Sequence, residues 1–365
     1  MRYFLLVLAL SFLSINCTST KSVSYHSDPS IQLRQILEEE YVKSSEGVAG
    51  VSLTVISPEL GIDFSGAVGY DGVKKKSALK GTQPFRVASL TKVFVATAIL
   101  RLREKGLLSI EDPISKYISP AHIEILKNGG YNPDKILIRH CLDHTSGLYD
   151  YAEGGPEYIQ IASKNPTKRW TRTEQIEFAM KYGKPHATSG EEHHYSDTGY
   201  VLLGEIIERL TGNGLAKGLR ELLKFNELGM TSTYLESLEE RPKGLEPSVK
   251  RYLENIDATH WDNSVDLYGG GGLVSTTRDL SMFLQALFNG GIFEREDTLD
   301  VMLLKKEYTR EKDFLPQNRL GFGAVVGKKS GAELYMHTGF WGTLFAHYDN
   351  YNTSIAINNI VDGDS

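Results

Sequence analysis

The runs with strand character stand at opposite ends of this chain, and the helix-like runs fill the space between. Near the start, Val48 to Ile56 is β-branched and bounded by Gly47 and Pro58. Ile62 to Val68 follows and closes on turn residues at Gly69 to Gly72. These two runs read as an antiparallel pair. Strand patterns return only late, at Gly321 to Val326, Glu333 to His337, Thr343 to Asp349 and Thr353 to Ile360. Strands at both ends with helices between them predict one sheet assembled from the two ends of the chain.

The helical patterns are periodic. Ser30 to Lys43 sets Ile31, Leu33, Ile36, Leu37 and Tyr41 among charges. Val93 to Leu102 is strongly apolar and continues to Gly106, a C-cap residue. Thr173 to Tyr182 and Thr198 to Leu210 follow among Pro and Gly loops. Thr277 to Phe288 begins with Thr276 and Asp279 at capping-box spacing.

Composition excludes several functions. Of 365 residues, 40 are Lys or Arg and 46 are Asp or Glu, a formal charge of −6. That balance leaves no broad basic footprint for nucleic acid and no polybasic membrane patch. Two cysteines rule out a disulfide framework and a cysteine-rich zinc module. The first, Cys17, has its own context. Met1-Arg2-Tyr3 precedes an apolar run from Phe4 to Leu13, a signal-peptide core too short to span a bilayer. The stop at Cys17 resembles a bacterial lipoprotein signal. It implies a signal peptide at 1–16, lipidation of Cys17 and a tether at 17–30; an ordinary signal peptide cleaved nearby, with Cys17 incidental, is the alternative. The expectation is an exported cell-envelope lipoprotein, facing the periplasm or the cell surface and held to the membrane by its lipid. Cys141 reads as core packing.

Three short segments carry chemistry. Ser89-Leu90-Thr91-Lys92 opens the apolar helix, and residues at i and i+3 share a helical face. A serine hydroxyl is a poor nucleophile until a base takes its proton, and a buried lysine in its neutral form can be that base. A helix start adds backbone N–H groups where an oxyanion would form. The same spacing recurs in Ser77-Ala78-Leu79-Lys80, inside a polar, lysine-rich turn. The second segment is Tyr195-Ser196-Asp197, where a tyrosine near a cation can serve as phenolate or proton relay. The third is His337-Thr338-Gly339 at the end of a late strand, where glycine permits close approach of a ligand to the backbone.

In this order the three segments resemble the serine β-lactamase and penicillin-binding-protein superfamily, in its class C β-lactamase, D,D-carboxypeptidase and esterase branch. Further segments carry the resemblance along nearly the whole mature chain. They are Leu108 to Ile114, the His-Thr-Ser-Gly turn at 144–147 and the glycine-rich run from Gly270 to Leu280. The resemblance implies an α+β fold, with an antiparallel five-stranded sheet flanked by helices and an inserted all-helical domain. The sheet domain is expected from 31–85 and 266–365, the helical domain from 86–265. The resemblance also implies roles. Ser89 is the acylated nucleophile. Lys92 and Tyr195 share the base work and later activate the deacylating water. Asp197 contacts Lys92 and substrate, and the N–H groups of Ser89 and Phe340 form the oxyanion hole. His337, with Thr338 and Gly339, faces the substrate's carboxylate or polar end.

Two positions depart from the family pattern. Asp197 stands where the family usually has Asn, and an ionised Asp only accepts hydrogen bonds. His337 stands where β-lactamases and carboxypeptidases usually have Lys, and a mostly neutral histidine anchors a carboxylate less well. The members implied are therefore serine hydrolases acting through an acyl-enzyme on amide or ester bonds of a small-molecule or peptidoglycan-like substrate. A class C-like β-lactamase and a catalytically weak surface lipoprotein that binds peptidoglycan or a protein partner are the alternatives. The implied fold also adds a helix after the last strand, beyond Asp362 to Ser365. His140 and His144 at i, i+4 and the cluster Glu191-Glu192-His193-His194 raise a metallohydrolase. No His-Glu-x-x-His motif accompanies them, so neither metal nor cofactor is expected. The glycines at 269–272 match no phosphate-binding fingerprint.

Overall fold

A computed structural model describes residues 28–44, 47–253, 256–304, 319–322, 324–327 and 333–361. The expected signal segment, Cys17, nearly all of the tether and the last four residues lie outside the described residues.

The first helix, α1 (Pro29–Lys43), begins where Asp28 accepts a hydrogen bond from the Ser30 amide at 2.9 Å, with Pro29 at its first position. Strands β1 (Val48–Ser57) and β2 (Ile62–Gly69) follow. The short β3 (Phe85–Arg86) leads through a 3-10 turn at Ala88–Leu90 into α2 (Thr91–Glu104). Gly106 ends this run with φ 70°, in the left-handed region that glycine adopts freely. The middle carries α3 (Pro120–Asn128), α4 (Ile138–Leu142), α5 (Glu157–Lys164), α6 (Arg172–Tyr182), α7 (Asp197–Thr211) and α8 (Leu215–Leu222). Then come β4 (Tyr234–Leu235), β5 (Tyr252–Leu253), β6 (Ile256–Asp257), β7 (Leu273–Ser275), α9 (Thr277–Phe288) and α10 (Asp297–Met302). The chain closes with β8 (Ala324–Gly327), β9 (Glu333–Gly339), β10 (Thr343–Tyr348) and β11 (Thr353–Val361).

The main sheet runs β2-β1-β11-β10-β9-β8, antiparallel throughout. The expected five-stranded sheet is there from β2 to β9, and the short β8 adds a sixth strand at its edge. β11 lies between β1 and β10, so the two ends of the chain meet in the middle of the sheet. Alternate residues face opposite sides. Val51, Leu53, Val55, Leu344, Ile355 and Ile357 form one apolar layer, which Leu33 and Leu37 of α1 cover. On the other face Thr54 meets Thr277 of α9, and Phe345 packs on Phe94 of α2. α2 is buried on every side from Thr91 to Leu102, and Phe94 stacks on Phe283 of α9 at 3.8 Å. A helix apolar all round needs such a site, between a sheet and other helices.

The capping-box expectation at α9 is half met. Thr276 accepts from the Asp279 amide at 3.2 Å, but the Asp279 carboxylate turns to Ser232 N and Thr233 Oγ1 instead of back to the cap. A distant loop takes the acceptor that the local motif reserves for the cap.

Candidate active site

Three elements converge on α2. Pairing of β3 with β7 fixes the chain just before Ser89, and the Val87 amide adds a bond to Leu273 O at 2.9 Å. Ala88 then takes φ 49°, unusual for a residue with a side chain. This strained turn places Ser89 in the 3-10 turn rather than at the α-helix start, and Thr91 begins the helix. Ser89 remains partly exposed, whereas Lys92 in the first turn of α2 is 0% exposed.

Lys92 Nζ lies 3.0 Å from Ser89 Oγ, 2.5 Å from Asp197 Oδ1 and 2.8 Å from Gly270 O. An ammonium has three N–H donors, and these three acceptors use them all. Once one proton leaves, two N–H groups still hold Asp197 and Gly270, and the lone pair is free for the Ser89 hydroxyl. Asp197 is the first residue of α7, with Ser196 as its N-cap. Gly270 must be glycine, because a Cβ there would run into Asp197 Oδ1. The other Ser-x-x-Lys pair is different: Ser77 is exposed, and Lys80 is exposed and bound to Glu246 at 2.9 Å.

The Tyr195 side chain faces Ser89. Its ring lies 4.9 Å from Lys92 Nζ and stacks on His144 at 4.2 Å. Burial first, then the Asp197 carboxylate, holds its hydroxyl well above the usual phenol range, so the group here is a neutral phenol able to pass a proton. His144 supports it from beneath. The buried imidazole accepts the Ser196 amide at Nδ1, 3.0 Å away, which leaves the ring proton on Nε2. Burial and Lys92 hold it well below the usual range, and hence neutral. His140 likewise turns Nδ1 to a backbone amide, that of Leu137 at 3.2 Å.

Two buried acids stand behind Asp197. Asp150 accepts the Ala152 amide at 2.8 Å through Oδ1, while its Oδ2 is buried without a partner. Burial and the Asp197 charge push this carboxyl up to about 8. Asp266 is pushed up to about 6 by burial, against the pull of Arg86.

The third segment lies on β9. Gly339 packs against Val87 O and Thr343 Oγ1 too closely for any side chain, which draws the end of β9 against the turn that carries Ser89. His337 is buried, its ring 6.4 Å from that of Tyr195, and its Nδ1 is 2.6 Å from Thr338 O. Burial and Lys92 hold its imidazole down at about 3. Thr338 and Phe340 are exposed at the rim.

The structure thus bonds Ser89 and Asp197 to Lys92 and sets Tyr195 and His337 beside them. Sequence reading missed the Gly270 carbonyl, the stacking role of His144 and the buried Asp150. A backbone carbonyl carries no sequence signal.

The Beta-lactamase family matches residues 36–358. Penicillin-binding protein 4* of Bacillus subtilis (strain 168) is 27% identical over 328 residues, 84% of this chain and 67% of its own. The D-alanyl-D-alanine-carboxypeptidase/endopeptidase AmpH of Escherichia coli (strain K12) is 24% identical over 263 residues, covering 72% of this chain and 63% of its own length. The chain therefore spans about two thirds of the length of these curated relatives. Among solved structures, D-amino acid amidase from Ochrobactrum anthropi SV3 superposes with a TM-score of 0.73 at 27% identity, covering 93% of this chain and 94% of that one.

Proposed function

Since the chain belongs to the Beta-lactamase family and is a serine hydrolase of that superfamily, we propose that Ser89 is its nucleophile. Ser89 Oγ attacks the carbonyl carbon of an amide or ester while its proton passes to the Lys92–Tyr195 pair. The same proton then goes to the departing amine or alcohol, leaving an acyl ester on Ser89. Water, activated by the same pair, cleaves that ester and regenerates the hydroxyl. Asp197 and Gly270 O hold Lys92 in place through both steps. The N–H groups of Ser89 and Phe340 receive the oxyanion, and Thr338 and Gly339 border the bound substrate.

The observation that carries this reading is Lys92, fully buried, with its ammonium aimed at a partly exposed serine. D-Alanyl peptides, amino-acid amides and short-chain esters are the substrate classes, in line with the names of the matched relatives. Asp197 and His337 in place of Asn and Lys speak against efficient penicillin hydrolysis.

A fluorescent fluorophosphonate should label the wild type and Ser77→Ala but not Ser89→Ala. Hydrolysis should fall roughly 10³-fold or more in Ser89→Ala. Full activity of folded Ser89→Ala on every substrate the wild type cleaves would refute the assignment.

For location, we read Cys17 as the lipid attachment point of a cell-envelope protein with a peptidoglycan-like or smaller substrate. Among the described residues no helix is long and apolar enough to cross a membrane, so the reading rests on the sequence of 1–17. Lipid labelling of the wild type that persists in Cys17→Ala would overturn it.

A further inference from the structure

Three carboxyl groups are buried around the Lys92 ammonium, and only one of them bonds it. Asp197 does so directly. Asp266 lies against Gly271 as Asp197 lies against Gly270, so the glycine run threads between these two acids. Asp150 is the third, and Thr198, the residue after Asp197, fixes its place. The Thr198 hydroxyl donates to Tyr149 O at 2.7 Å and accepts from the Tyr151 amide at 3.3 Å. The backbone on both sides of Asp150 is thereby clamped to the first turn of α7.

Nothing in this setting supports a charge on Asp150. Its Oδ1 has one donor, the Ala152 amide, and its Oδ2 is buried and meets no donor among the described residues. Lys92 draws on it only from a distance, since Ser89, Asp197 and Gly270 O take all three ammonium protons. An ionised oxygen buried without a donor is far costlier than a carboxylic acid in the same place. Burial and the Asp197 charge accordingly push the group up to about 8. The titratable groups that face it are Lys92 from α2, Tyr195 and Asp197 at the start of α7, and Tyr151 and Glu153 from its own loop. Asp266 differs, because Arg86 and Arg251 act on it as well.

The Lys92–Tyr195 pair must lack a proton before it can take the one on Ser89 Oγ. Whether that proton leaves the ammonium or the phenol, the site becomes one charge more negative. A second carboxylate charge nearby opposes that change. We propose that Asp150 is a positioning residue for the acyl transfer: by keeping its own proton it spares the Lys92–Tyr195 pair a second adjacent negative charge, so that the pair can stand ready as the base for Ser89. The inference rests on the acyl-enzyme reading of Ser89. Asp150 acts through the pair and needs no contact with substrate.

The test follows the rate at which a fluorophosphonate labels the purified full chain between pH 6 and pH 10. At pH 6 Asp150 is as uncharged as asparagine, so the rate ratio of Asp150→Asn to wild type records only the packing difference. At pH 9 the wild type carries the extra charge and the variant does not. The ratio should rise roughly tenfold between these values, the equivalent of one pH unit in the proton affinity of the pair. The wild-type profile should also show two coupled titrations where the variant shows one. A ratio that is constant or falls from pH 6 to pH 9 gives Asp150 a structural role alone and overturns the inference. If Asp150→Asn does not fold, the infrared difference spectrum of the wild type between pH 6 and pH 9 decides. Loss of a protonated-carboxyl band supports the inference, and no carboxyl change overturns it. Label on Ser89 with a constant ratio sinks only this inference, while equal labelling of Ser89→Ala sinks the acyl-enzyme reading beneath it.

Discussion

At the scale of single residues, the site places ionisable groups where water cannot reach them and then limits what each can do. Tyr195 and His144 are both held neutral by burial, and a neutral phenol fits the proton-relay reading of Tyr195. Asp150 shows what this arrangement costs in stability. Its carboxyl rises from 3.8 to about 8 on folding. Between those values the folded state keeps a proton that the unfolded chain releases, so its contribution to stability falls as pH rises from about 4 to about 8. Asparagine cannot titrate. Asp150→Asn should therefore gain in Tm relative to wild type as pH goes from 5 to 8. Thermal scans at the two pH values check this, and a gap that stays constant means Asp150 is already ionised in the fold. The short motifs of the site were legible because residue identity alone limits their chemistry. Asp150 was not, because an aspartate in a loop acquires its raised proton affinity only from what buries it.

At the scale of elements, the helices legible in the sequence are those that carry local punctuation. Pro29 with Asp28, Thr171 with Glu174, and Gly106 mark ends that local hydrogen bonds decide. The exception at α9 is instructive, since the Asp279 side chain follows Ser232 and Thr233, which lie far away in sequence. The packing of α9 on β10 also stores an acid sensitivity. His347 stacks on Phe288 at 3.8 Å, and Ser354 Oγ lies 2.9 Å from its Nδ1. Burial lowers this imidazole from 6.5 to about 3. The folded state therefore binds fewer protons than the unfolded chain, and stability present above pH 6.5 is lost as pH falls toward 3. His347→Gln keeps a polar partner for Ser354 but does not titrate. Its denaturation midpoint should fall less than that of the wild type between pH 7 and pH 4. Equal acid losses in the two proteins would assign the effect elsewhere, His337 among the other buried imidazoles.

At the scale of the whole molecule, the decisive fact is that β11 inserts between β1 and β10, joining residues some three hundred positions apart into one ladder. Leu53 and Ile357 are register partners on the layer under α1, both essentially fully buried. Leu53→Ala and Ile357→Ala should each cost about 2–5 kcal/mol in denaturant unfolding. Because the two side chains touch the same space, the double variant should depart from additivity by roughly 0.5–3 kcal/mol. Strict additivity would argue against this register. The sequence by itself determined five of the ten α-helices among the described residues, the strand runs at both ends, and the Ser89, Lys92, Tyr195 and His337 segments, since these depend on side-chain identity and spacing along a few turns. Only the tertiary structure decided which carbonyl and carboxylate receive the Lys92 ammonium, that Tyr195 stays a neutral phenol, and that burial and Lys92 hold the His337 imidazole below its usual range. Those properties arise from burial and from partners brought in by distant segments, and neither is a property of the neighbouring residues.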